Sequence, residues 1–555
     1  MKRLGLFAVS VLLWMACIPA VFAQEVPPAA VPQITEGRLD HILSRGRLIV
    51  GVKDDYKPMS YRNAEDAIIG LEPDVARMLA DRLGVDLEMI PVTSANRLGR
   101  VNSGTIDVII ATMGDTEERR QQSGLVQPNY YASGVALYGR TDIAFTDWGQ
   151  MRGRPVCMVK GAYYNRTLDD TYLVSGLYYA SPRDALQALK KGDCVGWAFD
   201  DVALVEQAAL DADPAFDIVL PSILVVPWAM AVAPDEQNGQ LGRFVSDFIA
   251  ELHATGVFLD LQEKWGLTPS PYLDAQQALW TAEDTTGRIC LRDPDTQEFP
   301  AQCLEKDALR FGASAVDVPA WAQGFTDFTG LDLSVFFDGY DRDRLVSGFG
   351  LTFALSAVAI AGSLLVGVLL GLFHASTAQA TGIIRILGMP VRWIIVVARM
   401  TPPILQLYIV FFGVGGLLTT ADIAAPSAFL IAGIILSFYA GATNAVLISH
   451  ALLQESEATP SIPMRRMLGR ALIRAYDGLV STCVNIVKGA GMASVIALTE
   501  LISTVNLIIT EGGSAATLMN SLLLTYFLFV MVVLVVFRSA KRILVQNERR
   551  GVPRE

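Results

Sequence analysis

The chain has 555 residues, which is too many for one hydrophobic core and indicates about three or four domains. Charged residues make up only 18% of the sequence and the mean hydropathy is positive (+0.39), so part of the chain is expected to lie in lipid. The net charge of −12 argues against a nucleic-acid-binding surface.

Two kinds of chemistry lack their sequence motifs. Only four histidines occur, at well-separated positions, and no zinc-ligand spacing is present, so we predict no metal site. No P-loop pattern is present either. We therefore expect no cofactor in this chain, and any ATP hydrolysis must come from another polypeptide.

The first 23 residues are typical of a secretory signal peptide. Two basic residues precede an apolar run over residues 4–17, and residues 21–23 provide small side chains at suitable cleavage positions. We expect cleavage after Ala23. An uncleaved run would instead anchor the chain, whereas a lipid on Cys17 is disfavoured by Trp14, which lies where a small or aliphatic residue is needed. Each alternative exports the domain that follows.

Export makes the cysteines interpretable, because disulfides persist in oxidising compartments. Cys157 and Cys194 lie in two segments that are both typical of strands of one subdomain, and Cys290 and Cys303 flank a turn-rich stretch. We predict one disulfide within each pair. Cys483 falls in the apolar half and is expected to be a small packed residue.

Residues 46–270 alternate short apolar runs with amphipathic stretches. The apolar runs predict strands at residues 47–52, 87–92, 106–111 and 194–199. Apolar residues at helical spacing predict helices over 71–83, around 186–189 and over 241–252. Such alternation predicts parallel sheets covered by helices, in two lobes with chain crossings near residues 140 and 230. Open sheets of this kind bind ligands outside the carboxyl ends of their strands.

The composition changes twice after residue 272. Residues 273–344 are mixed, with proline, aspartate and the second cysteine pair, and are predicted to form an extracytoplasmic spacer. From Leu345 onward the chain contains five long apolar stretches, at 345–373, 400–421, 423–454, 489–510 and 512–537. A helix that crosses a bilayer needs about 20 apolar residues. We therefore predict an all-α membrane domain of about five transmembrane helices over 345–540, followed by a tail over 541–555.

Basic residues are unevenly distributed among the segments that follow these stretches. Arginine and lysine occur after the first and third stretches and in the C-terminal tail, whereas residues 416–427 and 508–518 contain neither. Basic loops are retained in the cytoplasm. The distribution predicts an extracytoplasmic N-terminal domain and a cytoplasmic C-terminus, in agreement with the signal peptide.

Long colinear strings within residues 46–272 carry a family resemblance. They include LIVGVKDDYKPMSYRN, SGTIDVIIATMGDTEERR, GDCVGWAFDD and KWGLTPSPYL. These strings resemble the family 3 solute-binding proteins of polar amino-acid ABC importers. The resemblance implies a two-lobed α/β domain of the type 2 periplasmic-binding-protein fold, over residues 36–272, that binds an amino acid in the periplasm.

The resemblance also implies how the ligand is held. A free amino acid is a zwitterion, whose carboxylate needs a guanidinium and N–H donors and whose ammonium needs a carboxylate. By resemblance, Arg119 binds the α-carboxylate with help from Thr112 and the backbone at Gly114. Asp200 binds the ammonium, and the adjacent alternative Asp201 is expected to cap the next helix instead.

The loop that carries Arg119 is expected to lead into a helix. Asp115 and Glu118 have the spacing of a capping box, and helix N-termini attract anions. Arg119 would then lie in the first turn, near the cleft. The alternative for an arginine at such a position is a solvated surface charge.

Ligand specificity depends on four further positions. By resemblance, Tyr56 packs against the ligand, unless it is ordinary packing at the cleft edge, and Tyr163 contacts the ligand from the second lobe. Arg97 matches an arginine that approaches the ligand side chain, and Lys53 replaces an acidic residue of basic-amino-acid binders. Two cations near the side-chain pocket would favour an acidic or amide-bearing ligand, unless both point to solvent.

The apolar half resembles the permease subunits of the same importers, of the His/Glu/Gln/Arg type. The matching strings are GFGLTFALSAVAIAGSLLVGVLLGL, ARMTPPILQLYIVFFGVG and NIVKGAGMASVIALTEL. They place Arg399, Lys488 and Glu500 at positions of the family pattern. Glu500 interrupts an apolar stretch, so it should face the helix bundle or a wet cavity. A role in the pathway or in gating and a structural hydrogen bond remain alternatives.

One departure from the permease pattern concerns coupling to the ATPase. The loop LLQESEATPSIPMRRMLGRALIRAYDG has only echoes of the family's EAA motif, which docks on the ATPase. We therefore predict an importer subunit that combines substrate capture with the permease and resides in the bacterial inner membrane. It is expected to need a separate cytoplasmic ATPase and a second permease subunit, which is expected to be a copy of itself. The alternative is a membrane receptor or sensor that binds the amino acid without transport.

Overall fold

The computed structural model describes residues 37–550, except for 286, 306–307, 309–317, 379, 421–425 and 459–462. The predicted signal peptide and the Cys17 alternative lie outside the described residues, as does the end of the predicted tail. The described chain consists of an α/β half and a helical half.

The α/β half contains thirteen described strands. They are β1 (Arg47–Val52), β2 (Asp55–Tyr56), β3 (Ser60–Arg62), β4 (Ile68–Ile69), β5 (Asp86–Pro91), β6 (Val108–Ile109), β7 (Gly124–Arg140), β8 (Pro155–Val159), β9 (Ser175–Tyr179), β10 (Gly196–Asp200), β11 (Phe216–Val232), β12 (Glu283–Asp284) and β13 (Gly287–Arg288). Eight of them form one sheet in the order β5-β1-β6-β11-β7-β10-β8-β9.

Helices cover this sheet. They are α1 (Arg38–Arg45), α2 (Leu71–Leu83), α3 (Arg97–Asn102), α4 (Glu117–Gln122), α5 (Asn165–Asp170), α6 (Pro182–Lys191), α7 (Asp201–Leu210), α8 (Gln240–Thr255), α9 (Val257–Lys264) and α10 (Pro271–Thr281). Their apolar faces and those of the strands form the main core of the domain.

Two long strands divide the sheet into two lobes. The end of β11 pairs with β6 in lobe 1, the end of β7 pairs with β10 in lobe 2, and the two long strands pair with each other between them. The predicted crossing positions near 140 and 230 fall at the ends of these strands. The prediction of parallel sheets is wrong at the centre of the sheet, where β7 and β11 are antiparallel to each other and to their neighbours. The outer strands of both lobes pair in parallel.

Both predicted disulfides are formed, Cys157–Cys194 between β8 and the segment before β10, and Cys290–Cys303 in the predicted spacer. The second one closes a cap on lobe 1, where Trp280 packs edge-on against Phe299 at 5.0 Å. The first part of the predicted spacer is therefore packed on the domain.

The remaining helices run from the spacer to the C-terminus. They are α11 (Ala320–Thr329), α12 (Gly339–Ala378), α13 (Ile383–Leu387), α14 (Met389–Met400), α15 (Pro403–Tyr408), α16 (Gly415–Thr420), α17 (Ala428–Ala458), α18 (Met464–Gly489), α19 (Leu501–Thr510) and α20 (Ala515–Arg550). A π-helical turn, Ile409–Val414, connects α15 to α16.

Four helical stretches of the described chain are long and apolar enough to cross a membrane. They are Gly339–Ala378, Ala428–Ala458, Met464–Ile496 and Ala515–Gln546. A fifth crossing is formed if Met389–Met400 and Pro403–Leu418, which meet at 108°, count as one broken span. Cys483 is buried within this half.

The predicted fourth span, 489–510, is wrong. The long helix is α18, which continues as a 3-10 turn to Ile496, so the arginines placed in the preceding loop lie on its first turns. The chain then turns at Ala497, whose φ is +59°, and Glu500 begins the short helix α19. Hydropathy counts apolar residues and does not register a change in chain direction.

Candidate functional site

The candidate site lies in the cleft between the lobes, where loops from several strands meet. Lobe 1 contributes the loops after β1, β5 and β6, and lobe 2 contributes the loop after β8 and the end of β10. All of these are carboxyl ends of strands, where open α/β sheets bind ligands. The cleft is closed, since Arg119 of lobe 1 donates to the carbonyl of Gly161 in lobe 2 at 3.0 Å.

Arg119 is buried between the two lobes. Its guanidinium donates to the carbonyl of Gly114 at 2.8 Å as well as to Gly161. Burial lowers the pKa of Arg119 to about 10, while Tyr163 and Asp200 act in the opposite direction. The guanidinium is therefore charged at neutral pH, and it faces Asp200 on the other wall of the cleft.

The helix at this loop begins differently from the predicted capping box. Thr116 is the cap of α4 and accepts a hydrogen bond from the backbone N–H of Arg119 at 3.3 Å. Asp115 instead pairs with the Arg120 guanidinium at 2.6 Å and accepts from Asn129 at 3.0 Å. Arg119 still lies in the first turn, where its side chain reaches the cleft.

Asp200 ends β10 and is buried. One carboxylate oxygen accepts a hydrogen bond from the Tyr56 hydroxyl, 2.6 Å away on the other lobe. Burial raises the pKa of Asp200 to about 7, and the bond from Tyr56 opposes that rise. Asp201 is not the predicted helix cap, because it is the first residue of α7 and accepts bonds from the hydroxyls of Ser133 and Ser222.

Two tyrosines seal the cleft. The Tyr56 ring packs against Phe199 at 5.1 Å, so both aromatic packing and the hydrogen bond to Asp200 hold Tyr56 at the cleft. The Tyr163 hydroxyl lies 2.9 Å from the carbonyl of Ser133 on β7. Its ring lies so close to Gly114 that a Cβ there would be 2.9 Å away. Glycine at this position therefore permits the lobes to close.

Lys53 and Arg97 do not point to solvent. The Lys53 ammonium donates to the Ser94 hydroxyl at 2.7 Å, and the Arg97 guanidinium donates to the carbonyls of Ala111 and Thr112. Burial, followed by repulsion from Arg97, lowers the pKa of Lys53 to about 8. Burial also lowers the pKa of Arg97 to about 9. Two buried cations therefore lie on the lobe 1 side of the site.

Glu72 is a member of this cluster that the sequence did not predict. It accepts bonds from the Thr112 backbone N–H at 2.6 Å and from the Tyr130 hydroxyl. Burial raises its pKa to about 7, against the effect of these bonds and of Lys53 and Arg97. An acidic residue in the first turn of α2 has the pattern of a solvated charge at a helix N-terminus, so only the tertiary structure identifies it.

Polar atoms around the cleft are buried without a partner among the described residues. They are Glu72 Oε2, Arg97 Nε, Tyr164 Oη, Asp200 Oδ1 and Trp228 Nε1. Buried polar groups in native proteins are normally hydrogen-bonded, so such a group of donors and acceptors is suited to a small polar ligand. No group of three His, Cys, Asp or Glu side chains suited to a metal ion occurs in the described chain.

The predicted membrane residues are not brought together. Glu500 is fully buried and caps α19 by accepting from the backbone N–H groups of Ile502 and Ser503. Lys488 and Arg399 are exposed on the helical half. Glu500 therefore makes a local cap of α19, which differs from the alternative of a hydrogen bond between helices, and its predicted role in the pathway or in gating stays a prediction.

Lobe 2 is docked on the helical half by buried charges. Arg166 pairs with Asp338 at 2.7 Å and lies 3.7 Å from Asp341, and all three side chains are at most 10% exposed. Next to them, Arg344 pairs with Glu511 at 2.6 Å. The Arg166 pairs link the second lobe to the start of α12, and the Arg344–Glu511 pair joins the start of α12 to the residue after α19 within the helical half.

A second contact lies directly beside the cleft. The Lys160 ammonium reaches the backbone carbonyl of Ser494 in the helical half at 3.4 Å. The next residue, Gly161, accepts the bond from Arg119. Neighbouring residues of one loop therefore contact Arg119 and the helical half.

A family model described as bacterial extracellular solute-binding proteins, family 3, matches residues 48–268. The chain is 29% identical over 206 residues to the glutamine-binding protein of Geobacillus stearothermophilus, covering 36% of this chain and 78% of that protein. It is 28% identical over 241 residues to the L-cystine-binding protein TcyJ of Escherichia coli K12, covering 41% of this chain and 86% of that protein. A solved structure of the solute receptors for L-cysteine of Neisseria gonorrhoeae is 25% identical to this chain. The match covers 41% of this chain and 92% of that chain, with a TM-score of 0.39.

Residues 48–268 therefore form a solute-binding domain with amino-acid-binding relatives. The match to the family model ends at residue 268 and leaves the helical half unassigned. The domain is also similar to part of an enzyme, the membrane-bound lytic murein transglycosylase F of Aeromonas hydrophila. That alignment is 26% identical over 234 residues and covers 41% of this chain and 46% of the enzyme, so such domains occur joined to different partners.

Proposed function

We propose that this chain is an amino-acid ABC importer subunit that combines substrate capture with the membrane permease. The observation that carries the proposal is that a closed amino-acid-type cleft lies on its own apolar helical half, through the buried ion pair between Arg166 and Asp338. A separate cytoplasmic ATPase supplies ATP hydrolysis, and a second permease subunit, taken to be a copy of this chain, completes the pathway.

The charges of the cleft favour a zwitterionic ligand. Arg119 binds the α-carboxylate and Asp200, whose second oxygen is free of protein partners among the described residues, binds the ammonium. Lys53 and Arg97 then lie on the side-chain end together with Glu72. Two cations and one anion suit a polar side chain, acidic or amide-bearing, and the names of the glutamine- and L-cystine-binding relatives agree with a polar ligand.

The membrane half is proposed to span the bacterial inner membrane with the binding domain outside. The basic residues of the first turns of α18 and of the end of α20 favour a cytoplasmic position for these helix ends. If the bent pair of Met389–Met400 and Pro403–Leu418 is one span, five helical stretches are apolar enough to cross the membrane. Fusion keeps the binding domain at high local concentration over its own permease.

Ligand binding is tested on the full chain in lipid nanodiscs by thermal shift against single amino acids. We expect stabilisation by a polar amino acid, and loss of that stabilisation in Arg119→Ala. Arg82→Ala is the matched control, because Arg82 is an exposed lobe 1 arginine that pairs with Glu251 on the surface. Unchanged ligand affinity in Arg119→Ala would refute the assignment of the site.

A receptor that binds without transport is the second candidate, favoured by the degenerate EAA loop. The importer and the receptor can be distinguished by the uptake of a radiolabelled ligand into proteoliposomes, with and without a candidate ATPase inside. ATP-dependent uptake supports the importer. Binding without uptake, with every candidate ATPase of the host, supports the receptor.

A further inference from the structure

Helix α11 carries three aromatic side chains on one face. Trp321, Phe325 and Phe328 are spaced i, i+4 and i+7, which places them in one row along the helix. They are 67%, 41% and 91% exposed. On another side of the helix, Ala322 is fully buried, so α11 rests on the protein through a small residue and turns its largest side chains away from it.

Such a face is unusual for a surface in contact with water. Contiguous aromatic patches on soluble surfaces generally mark a binding site for a partner or a membrane. Single exposed apolar residues need no explanation, but three aromatic rings in register do. The occupant can be inferred from what lies beside the helix.

The face lies at the outward end of the first candidate span. The Trp321 ring packs against Phe337 at 5.8 Å, and Phe337 comes two residues before α12. Val346 is the first large apolar side chain of α12 that is exposed, at 65%, and Phe349 and Phe353 continue the exposed apolar side. The aromatic face therefore begins beside the start of α12, the helix whose exposed apolar side would contact lipid.

The start of α12 lies at the outer edge of the lipid headgroups, because its distance from the first lipid-facing side chain slightly exceeds the depth of the headgroup region. From Gly339 to Val346 the helix rises by roughly 10 Å. The interfacial region of a bilayer adds about 5–8 Å on each side of the hydrocarbon core. Aromatic side chains are enriched at this level, since their rings combine an apolar body with tolerance of a polar boundary.

We propose that α11 is an interfacial helix, whose face of Trp321, Phe325 and Phe328 inserts into the outer leaflet of the membrane. The inference rests on the proposed function in one respect, namely that the helical half spans a bilayer. The only charged residue of α11 is Asp327. The partner is therefore the boundary between the acyl chains and the headgroups of the lipid, and anionic headgroups are not required.

Insertion can be measured through tryptophan fluorescence of the full chain in phosphatidylcholine vesicles, with and without bromine atoms on the acyl chains near the glycerol backbone. The emission of Trp321 is obtained as the difference between the native chain and Trp321→Phe. The difference between the native chain and Trp393→Phe reports on Trp393, which is 68% exposed on candidate-span helix α14. Bromine quenches only a ring that it contacts.

We expect quenching of both tryptophans, and the same Trp321 quenching when phosphatidylglycerol is added. Phe328→Glu should remove most of the Trp321 quenching without affecting Trp393, since Phe328 makes few contacts with the protein. Ala320→Glu is the matched control, because it places the same charge at an exposed position away from the aromatic face and should leave quenching intact.

The outcomes separate the two proposals. Quenching of Trp393 without quenching of Trp321 overturns the interfacial helix and leaves the membrane half standing. Absence of quenching at both positions overturns both. Trp321 quenching that requires phosphatidylglycerol, or that persists in Phe328→Glu, overturns the stated mode of insertion.

Discussion

Closure of the cleft can be tested at one glycine. Gly161 lies in lobe 2 with φ +79°, and a Cβ at this position would lie 2.8 Å from the backbone carbonyl of Ser94 in lobe 1. Gly161→Ala therefore has two effects. The positive φ strains the loop whether the lobes are open or closed, whereas the collision with Ser94 exists only in the closed state.

The two effects have different magnitudes and readouts. An alanine at positive φ costs roughly 1–2 kcal/mol of folding stability. A methyl group forced against backbone costs roughly 1–3 kcal/mol of closure free energy, since neither wall can yield by a rotamer change. Because the ligand binds by closing the cleft, this second cost should weaken affinity by about 5-fold to 150-fold.

Titration calorimetry with the identified amino acid gives the affinity, and thermal unfolding without ligand gives the stability. Gly153→Ala is the matched control, since Gly153 lies in the same lobe with φ +70° and a Cβ there would meet no atom within 4 Å. Both variants should lose similar stability, and only Gly161→Ala should lose affinity. Equal affinities in the two variants would show that closure does not bring Gly161 onto Ser94.

Three further predictions concern charge, docking and the cap. Burial raises the pKa of Asp200 to about 7, and a ligand ammonium requires the ionised carboxylate, so affinity should rise as pH increases from about 6 to 8, and protons should be released on binding at the lower end of this range. Asp200→Asn should remove this pH dependence in calorimetry, and a pH dependence that persists would belong to another group. Arg166→Ala removes the ion-pair partner of the buried Asp338 carboxylate and should lower stability by roughly 3–5 kcal/mol in thermal unfolding of the full chain, whereas the exposed Arg140→Ala should have little effect. Equal losses would contradict a buried contact between lobe 2 and the helical half. Replacing Cys290 and Cys303 by serine should cost roughly 3 kcal/mol, as for a short disulfide loop, and leave ligand affinity unchanged because the cap lies behind lobe 1; a weaker ligand affinity would place the cap in the binding mechanism.

The local parts of the binding half follow from its sequence because their determinants are local. The apolar run at 47–52 and the stripe over 71–83 become a strand and a helix with nearly the predicted bounds. Each of these predictions depends on residues within a few positions of one another.

The long crossing strands are different, since their register is set by the partner. β7 contains Pro128 and β11 is bulged at several positions, so neither shows the alternation of a regular strand over its full length. Pairing with each other overrides these local interruptions. The antiparallel centre of the sheet was missed for this reason.

Within the candidate site, Arg119 and Asp200 were predicted from the sequence strings that resemble the solute-binding proteins, whereas Glu72 was not predicted. Its helix position, residue type and flanking residues are those of a solvated N-terminal charge. Burial follows only when the loop at Thr112 covers it and the Tyr130 hydroxyl reaches it from β7. The sequence pattern around Glu72 does not encode these distant contacts.

The arrangement of buried charges also indicates which lobe moves. Arg166 of lobe 2 cannot leave Asp338 without exposing an unpaired carboxylate to a low-dielectric surrounding, a change that is costly whether or not the intact pair adds stability. We therefore expect lobe 2 to stay with the helical half. Glu118 and Gln122 of lobe 1 also approach the helical half at Gly512, so this contact would change when lobe 1 moves. Arg119 belongs to lobe 1, so its bond to Gly161 must form and break as lobe 1 swings. Lys160, the neighbour of Gly161, contacts the helical half. The loop that meets Arg119 in the closed state is therefore also the loop that contacts the proposed permease.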